Sequence, residues 1–297
     1  MRVSFISALH DNLALTEAMF ASLLETIPAE VKAEFVFVDN ASKDGTDDWL
    51  SAQQDPRLHF KLLDTNIGYG PANNMAAEMA QGDILVLLNN DIELKPRWLE
   101  PMLAGFSACE NPGFIGNLQF RINDGALDHR GVRFDLLRRP YHVQNRGLFA
   151  FRGDLTRYPA VTAACCAIRR TVFLEAGGFD ANFKNGYEDI DLCLRLGRDG
   201  FKHYVANRSK VLHHVSASLG RFSRETDNLK FFLDRWGWPE GGPSYRTRGI
   251  NYMGRHWLRP WKYNGGKLVL ALAWLFSGHS CMALQRRLQV TIDYKPK

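Results

Sequence analysis

The sequence predicts an α/β protein, a mostly parallel sheet flanked by helices, followed by a C-terminal helical extension. Three observations carry this. Short, near-continuous apolar runs alternate with stretches of helix-like sequence over the first half of the chain. Several of these runs, F-V-F-V (35–38) and residues 84–88 above all, are near-continuously apolar rather than alternating, as strands covered on both faces require. Beyond about residue 226 the alternation gives way to basic and aromatic segments, so the division expected is 1–225 and 226–297.

The elements follow in order. V-S-F-I-S (3–7) is the first strand, and residues 13–25 read as a helix. F-V-F-V (35–38) is a second buried strand that ends in the polar loop Asp39-Asn40-Ala41-Ser42-Lys43-Asp44-Gly45-Thr46. Thr46 is expected to cap a helix through Asp47, Asp48, Trp49 and Leu50. L-H-F-K-L-L (58–63) is the third strand, residues 71–80 the next helix, and residues 84–88 the fourth strand. In open sheets of this kind ligands bind beyond the carboxyl ends of the strands. Asp39 and Asn89-Asn90-Asp91 both fall at such ends.

A chain of 297 residues with 45% hydrophobic and 23% charged residues can bury a sizeable core, which excludes a disordered chain. The net charge of +5 is concentrated late, in Arg246, Arg248, Arg255, Arg259, Lys262, Lys267, Arg286 and Arg287, and suits a phosphate-bearing ligand or an anionic membrane surface. Cys109, Cys165, Cys166, Cys193 and Cys281 form no C-x-x-C pair. That argues against a zinc module or a disulfide framework and favours a reducing cytosol. Asp11 and Glu17 interrupt any apolar stretch near the N-terminus, so no signal peptide is expected.

Two carboxylate clusters carry the chemistry. A strand ending in Asn89-Asn90-Asp91 can hold a divalent cation, and Glu188-Asp189 at the mouth of a later helix can supply a general base. Together they point to metal-assisted transfer from a nucleotide donor.

The ordered segments F-V-D-N-A-S-K-D-G-T (37–46), N-I-G-Y-G-P-A-N-N (66–74), L-L-N-N-D (87–91), G-G-F-D…Y-E-D-I-D-L-C-L-R (177–195) and H-H-V-S-A-S (213–218) resemble a family 2 glycosyltransferase with the GT-A nucleotide-sugar-binding fold. R-I-N-D-G-A-L-D-H-R-G (121–131) is similar to a linker of bacterial relatives that act on surface polysaccharides, of the rhamnosyltransferase type. The resemblance implies that Asp39 accepts a hydrogen bond from the nucleotide base, with a uridine or thymidine donor as the fit for a carboxylate. It places Asn66, Gly68, Asn74 and Asn90 beside the donor nucleotide, and Asp91, Asn89 and His213 on Mn²⁺ or Mg²⁺. It makes Asp189 the general base, with Glu188 as its neighbour and Asp191 on the following turn. The chain departs from the family in Asn73, where relatives carry Arg, and in Leu9-His10-Asp11, where His10 replaces a base-stacking Tyr.

The function so implied is an inverting, metal-dependent transferase working in the cytoplasm, at the inner face of the cytoplasmic membrane. It takes a nucleotide-diphosphate sugar and acts on a glycan or lipid-linked glycan, with no nucleic-acid partner. Two other readings fit the residues: a catalytically weak nucleotide-sugar-binding domain, and a glycan-binding or assembly module built on the aromatic, basic C-terminal part. His129 and Arg133 suit contact with the donor sugar or diphosphate, or, as the preferred reading, solvated loop positions, and Cys165-Cys166 reads as a strand pair facing opposite ways. Trp236, Trp238, Trp257 and Trp261 suit core packing, a sugar platform or an interfacial belt. Eighteen uncharged residues, 268–285, lie between Lys267 and Arg286-Arg287, short for a bilayer span of about 20 residues and better suited to an interfacial helix.

Overall fold

The computed structural model describes residues 1–135, 138–144, 153–214, 225–236, 245–256, 265–278 and 284. Val215–Ser218, Cys281, Trp238, Trp257, Trp261, Arg259, Lys262, Arg286 and Arg287, together with the side chains of Arg248 and Arg255, lie outside the described residues.

The first half alternates as the sequence does. β1 (Arg2–Leu9), α1 (Leu13–Thr26), β2 (Lys32–Asp39), α2 (Thr46–Ser51), β3 (Leu58–Leu62), α3 (Tyr69–Met79) and β4 (Ile84–Leu88) follow one another. β4, β1, β2 and β3 lie side by side and parallel, with Phe5 opposite both Phe35 and Val86. All five residues of β4 are buried, which is why its sequence shows no polar alternation. Phe20 of α1 meets Phe35 and Phe37 edge-on at 5.2 and 5.4 Å, and Trp98 donates its indole N–H to Thr26 Oγ1 at 3.1 Å. Each such buried ring is worth roughly 1.5–3 kcal/mol of transfer free energy.

Two helix starts differ from expectation. Gly45, not Thr46, caps α2: its φ of 90° makes the turn, and the Asp44 carboxylate receives Thr46 Oγ1–H at 2.7 Å from outside the helix. α3 begins at Tyr69 rather than Pro71. A proline in the first turn costs nothing there, because those amides have no intrahelical acceptor.

Beyond β4 the sheet becomes mixed. β5 (Ile92–Leu94), α4 (Glu100–Ala108), β6 (Pro112–Arg121), β7 (Leu127–His129), β8 (Val132–Phe134), β9 (Pro140–His142), β10 (Leu155–Tyr158), β11 (Cys165–Arg169), α5 (Arg170–Glu175), α6 (Glu188–Arg198) and β12 (Lys202–His213) complete this part. β11 runs antiparallel between β4 and β6, while β12 runs parallel to β6 and antiparallel to β10, giving the order β10-β12-β6-β11-β4-β1-β2-β3. β5 also pairs antiparallel with β12, and that register sets His213 opposite Ile92, one residue from Asp91.

The chain divides into two compact units, Met1–Arg133 with Pro140–Phe232, and Phe134–Arg139 with Leu233–Lys297. α7 (Glu225–Trp236) precedes α8 (Tyr245–His256) and α9 (Gly265–Ser277). In the second unit α8 and α9 pack closely: a Cβ on Gly249 would stand 2.4 Å from the Ala271 carbonyl oxygen. Trp236, Leu270, Ala271 and Trp274 are buried. The uncharged run 268–285 does not form one continuous helix, because Gly278 turns left-handed after Ser277 with φ 71°. Among the described residues no helix is long and apolar enough to cross a membrane.

Candidate active site

The residues expected beside a nucleotide lie at the carboxyl ends of β2 and β3, next to the loop that follows β1. Asp39 closes β2 and is buried. Burial pushes its carboxyl up, while the Ser42 hydroxyl and amide, both donating to it, pull it back without cancelling the rise. The same Ser42 Oγ accepts the Asp11 N–H at 2.9 Å, and Asp11 Oδ1 accepts the Lys43 N–H at 2.8 Å, so the β1–α1 and β2–α2 loops brace each other. Asn40 donates to Asn66 Oδ1 at 3.0 Å and accepts the Ile67 N–H at 2.8 Å. Asn66 Oδ1 also receives the Gly68 N–H at 2.9 Å. Gly68 is required for its conformation, φ 94°, which side-chain-bearing residues rarely adopt. His10 is exposed and 3.8 Å from Asp11 Oδ2.

Asn74 takes a different position from Asn66. Its amide is committed on both sides to the Phe179 backbone, donating to the carbonyl and accepting the N–H at 2.8 Å each. It thereby fixes the turn after α5, where Gly178 has φ 64° and no room for a Cβ, which would meet Asn74 Oδ1 at 2.4 Å.

At the end of β4 the three polar residues separate. Asn90 donates to the Asp11 carbonyl at 3.0 Å and to Thr16 Oγ1 at 3.1 Å, and so anchors the β1–α1 loop. The Asn89 N–H donates to the Ala164 carbonyl at 2.8 Å. Asp91 is buried, with Oδ1 3.4 Å from His213 Nε2; on the other edge of that ring, Nδ1 stands 3.4 Å from Asp128 Oδ2. Burial lowers the affinity of His213 for a proton, but the Asp128 and Asp91 carboxylates outweigh it and raise the imidazole to about 9. Asp128 moves the opposite way: burial raises it, and His213 brings it below the ordinary carboxylate value.

Asn89 Oδ1, Asp91 Oδ1 and both ring nitrogens of His213 are buried without a hydrogen bond, and of these Asn89 Oδ1, Asp91 Oδ1 and His213 Nε2 lie on the side of the β4 end. Buried polar atoms are nearly always partnered, and amide oxygen, carboxylate oxygen and imidazole nitrogen are all donors to Mn²⁺ or Mg²⁺. The three fit a divalent cation. Among the described residues no group of three or more His, Cys, Asp or Glu forms a cage, so the remaining ligands of a bound cation would come from elsewhere.

The third element is the start of α6. Its three carboxylates have distinct settings. Glu188 is buried and accepts the Gly186 N–H at 2.6 Å. Asp191 is fully buried and paired with Arg195 at 2.8 Å. Asp189 alone of the three is half-buried; Oδ2 accepts the Ala163 N–H at 3.0 Å and Oδ1 accepts the Ile190 N–H at 2.8 Å. The Ala163–Ala164 segment therefore links the base candidate to the end of β4, since its next residue bonds Asn89.

Sequence reasoning passed over two residues here. Tyr69 donates its hydroxyl to the Ala163 carbonyl at 3.3 Å. Burial, then the nearby Cys166, Glu188, Asp189 and Asp91, keep that phenol protonated. Its position between Gly68 and Gly70 in the glycine turn was the available signal. Asp128 lies in a segment without periodicity; it falls inside the 121–131 stretch that resembles bacterial relatives, but nothing there singles out this carboxylate. His129 is not a solvated loop residue: it is fully buried in β7, accepts the Gly131 N–H at 3.0 Å and is held neutral by burial. Its register opposite Gln119 on β6 carries it inside. Arg133 is exposed, its guanidinium 5.7 Å above the Tyr158 ring. Cys165 receives the Asn117 amide at 2.8 Å on one face of β11, while Cys166 lies on the other near Tyr69 and Cys193.

Residues 4–176 match the sequence model of Glycosyl transferase family 2. The O-antigen biosynthesis protein RfbC of Myxococcus xanthus is 29% identical over 259 residues, which are 82% of this chain and 20% of that protein. The N-acetylglucosaminyl-diphospho-decaprenol L-rhamnosyltransferase of Mycobacterium tuberculosis is 28% identical over 229 residues, 69% of this chain and 73% of that one. The chain thus spans only about a fifth of the first relative's length. The solved structure of GalNAc-T7 with UDP, GalNAc and Mn²⁺ superposes with a TM-score of 0.62 over 86% of this chain and 54% of that one, at 19% identity, a likeness of fold. The parallel β3-β2-β1-β4 half, the mixed strands beyond it and the matched segment agree: the chain belongs to glycosyl transferase family 2 and has the GT-A fold.

Proposed function

We propose that this chain is an inverting, metal-dependent glycosyltransferase of cell-surface polysaccharide synthesis. It moves a hexosyl or deoxyhexosyl group from a UDP- or dTDP-type donor to a hydroxyl of a glycan or lipid-linked glycan. One observation carries the reading. Three buried cation-ligating atoms, on Asn89, Asp91 and His213, the last two facing each other at 3.4 Å, stand at the same sheet end as a half-buried carboxylate, Asp189, through the Ala163–Ala164 segment.

Each residue then has a task. Asp39 accepts an imide N–H of the nucleotide base, which uracil and thymine offer and cytosine does not. The Asn66–Gly68 turn brings backbone close to the donor. Mn²⁺ or Mg²⁺ held by Asp91, Asn89 and His213 would neutralise charge on the leaving diphosphate, and the imidazole nitrogen favours Mn²⁺. Asp189 takes the acceptor hydroxyl proton as that oxygen attacks the anomeric carbon on the face opposite the diphosphate, which leaves with the bonding electrons.

A thermal-shift screen of UDP, dTDP, GDP and CDP with and without Mn²⁺ tests the donor site. UDP or dTDP is expected to stabilise the protein only with Mn²⁺, by about 2.7 kcal/mol at a hundredfold excess over Kd, and Asp91→Ala to abolish the effect. No stabilisation by any nucleotide overturns the reading in favour of a glycan-binding module.

The second unit supports a peripheral membrane contact that would bring the site to a lipid-linked acceptor. Val269 and Phe276 of α9 are exposed, at 44% and 76%, as is Arg246 on α8. The expected result is co-flotation with anionic vesicles at low salt and release at high salt. Indifference to such vesicles at low salt removes the membrane from the account.

A further inference from the structure

We propose that Asp128 is a positioning residue for the cation site: it holds the His213 ring so that Nε2, not Nδ1, faces Asp91. The inference rests on the cation-site reading above. Its basis is the way β7 joins the sheet. Gln119 of β6 opposes His129, and Phe120 opposes Leu127, so Asp128 is the extra residue of a β-bulge. Bulges break the alternation of faces and re-aim a side chain. Here the bulged residue and both its neighbours are buried, and the Asp128 carboxylate lies against the last residue of β12.

Both ends of that contact are fixed. Asp128 Oδ1 accepts the Gln144 side-chain N–H at 3.4 Å, leaving Oδ2 for His213 Nδ1, also at 3.4 Å. The His213 main chain is set on two sides, opposite Arg121 on β6 and Ile92 on β5, and its carbonyl accepts the Ile122 N–H at 3.2 Å. The His214 N–H donates to the Asp91 carbonyl at 2.9 Å, so the backbones bearing the two cation ligands are joined directly. Held between the two carboxylates, the ring presents Nδ1 to Asp128 Oδ2 and Nε2 to Asp91 Oδ1, at 3.4 Å each. Carboxylate–histidine pairs of this kind orient metal-binding rings, and losing the carboxylate typically costs 10–100-fold in metal affinity.

The test is a Mn²⁺ titration of the full chain, followed by the electron paramagnetic resonance signal of the free ion. It is run without nucleotide and with UDP or dTDP, against protein-free blanks. Asp128→Ala is expected to weaken Mn²⁺ binding about 10–100-fold, and Asp128→Glu to restore most of it. In a His213→Ala background, adding Asp128→Ala is expected to change the affinity no further, because the carboxylate acts only through the ring. Metal-free melting curves check that each variant is folded, and Asp128→Asn replaces Asp128→Ala if the latter melts below the titration temperature. A folded variant without the carboxylate that binds Mn²⁺ like wild type overturns the inference, as does an additive loss in the His213→Ala background. Wild-type protein that takes up no Mn²⁺ under any of the three conditions overturns the cation site itself, and this inference with it.

Discussion

Asp189→Asn is expected to lower kcat about 10²–10⁴-fold, the range that a positioned general base contributes, while Mn²⁺-dependent nucleotide binding survives. The substitution keeps the shape of the side chain, and its amide oxygen can still accept the Ala163 N–H, so the link between α6 and the segment before β11 is retained. What disappears is the ability to take a proton. The second bond, from the Ile190 N–H, is a helix-end contact worth about 0.5–2 kcal/mol. A small loss of stability will therefore accompany a large loss of rate. Steady-state kinetics with the donor identified by the nucleotide screen decide the matter. kcat and kcat/KM should fall together, since the interaction removed is one made in the transition state. Wild-type turnover in a folded Asp189→Asn protein would reassign the base. Glu188→Gln makes the contrast: that carboxylate is buried against the Gly186 N–H, so its replacement should register first in stability.

The largest stability effect is expected at Arg195. Arg195→Met should cost about 3–5 kcal/mol, because it removes the guanidinium that pairs with the fully buried Asp191 carboxylate. The guanidinium also donates to the Ala176 and Gly178 carbonyls at 2.5 Å each. One side chain thus neutralises a buried charge of α6 and ties down the turn between α5 and α6. That turn is the one Asn74 grips from α3, so its loosening should reach the base as well as the core. Urea unfolding at neutral pH measures the effect. A loss below about 1 kcal/mol would show that the pair contributes no more than an ordinary hydrogen bond. Replacing both members, Asp191→Leu with Arg195→Met, should recover part of the loss, since the uncompensated charge is gone.

The parallel half was legible because covering both faces of a strand leaves an unbroken apolar signature, as in β4. The antiparallel insertion of β11 between β4 and β6 was not. No local feature of Cys165–Arg169 states which strands it will join, and β5 is three residues long. The candidate site divides in the same way. Asp39, Asp91 and Asp189 stood out because each punctuates an element end. The separation of Asn90 from Asn89 and Asp91 depended on the β1–α1 loop reaching across to it, and the Asn74 amide on a partner 105 residues away. Asp128 entered through a register slip, which is a property of two strands and not of one.

The placement of His213 also sets the order in which the protein gains its capacities during synthesis. Asp39, Asn66 and the β1-β2-β3-β4 framework are translated first. The histidine that faces Asp91 is the last residue of β12, about 120 residues later. At about 5–20 residues per second the ribosome needs roughly 6–24 seconds for that stretch. For that interval the nascent chain carries the loops after β1, β2 and β3 without the imidazole that faces Asp91, and long-range strand pairings are intrinsically slow to form. The Asp91–His213 contact is thus among the last parts of the first unit to be completed.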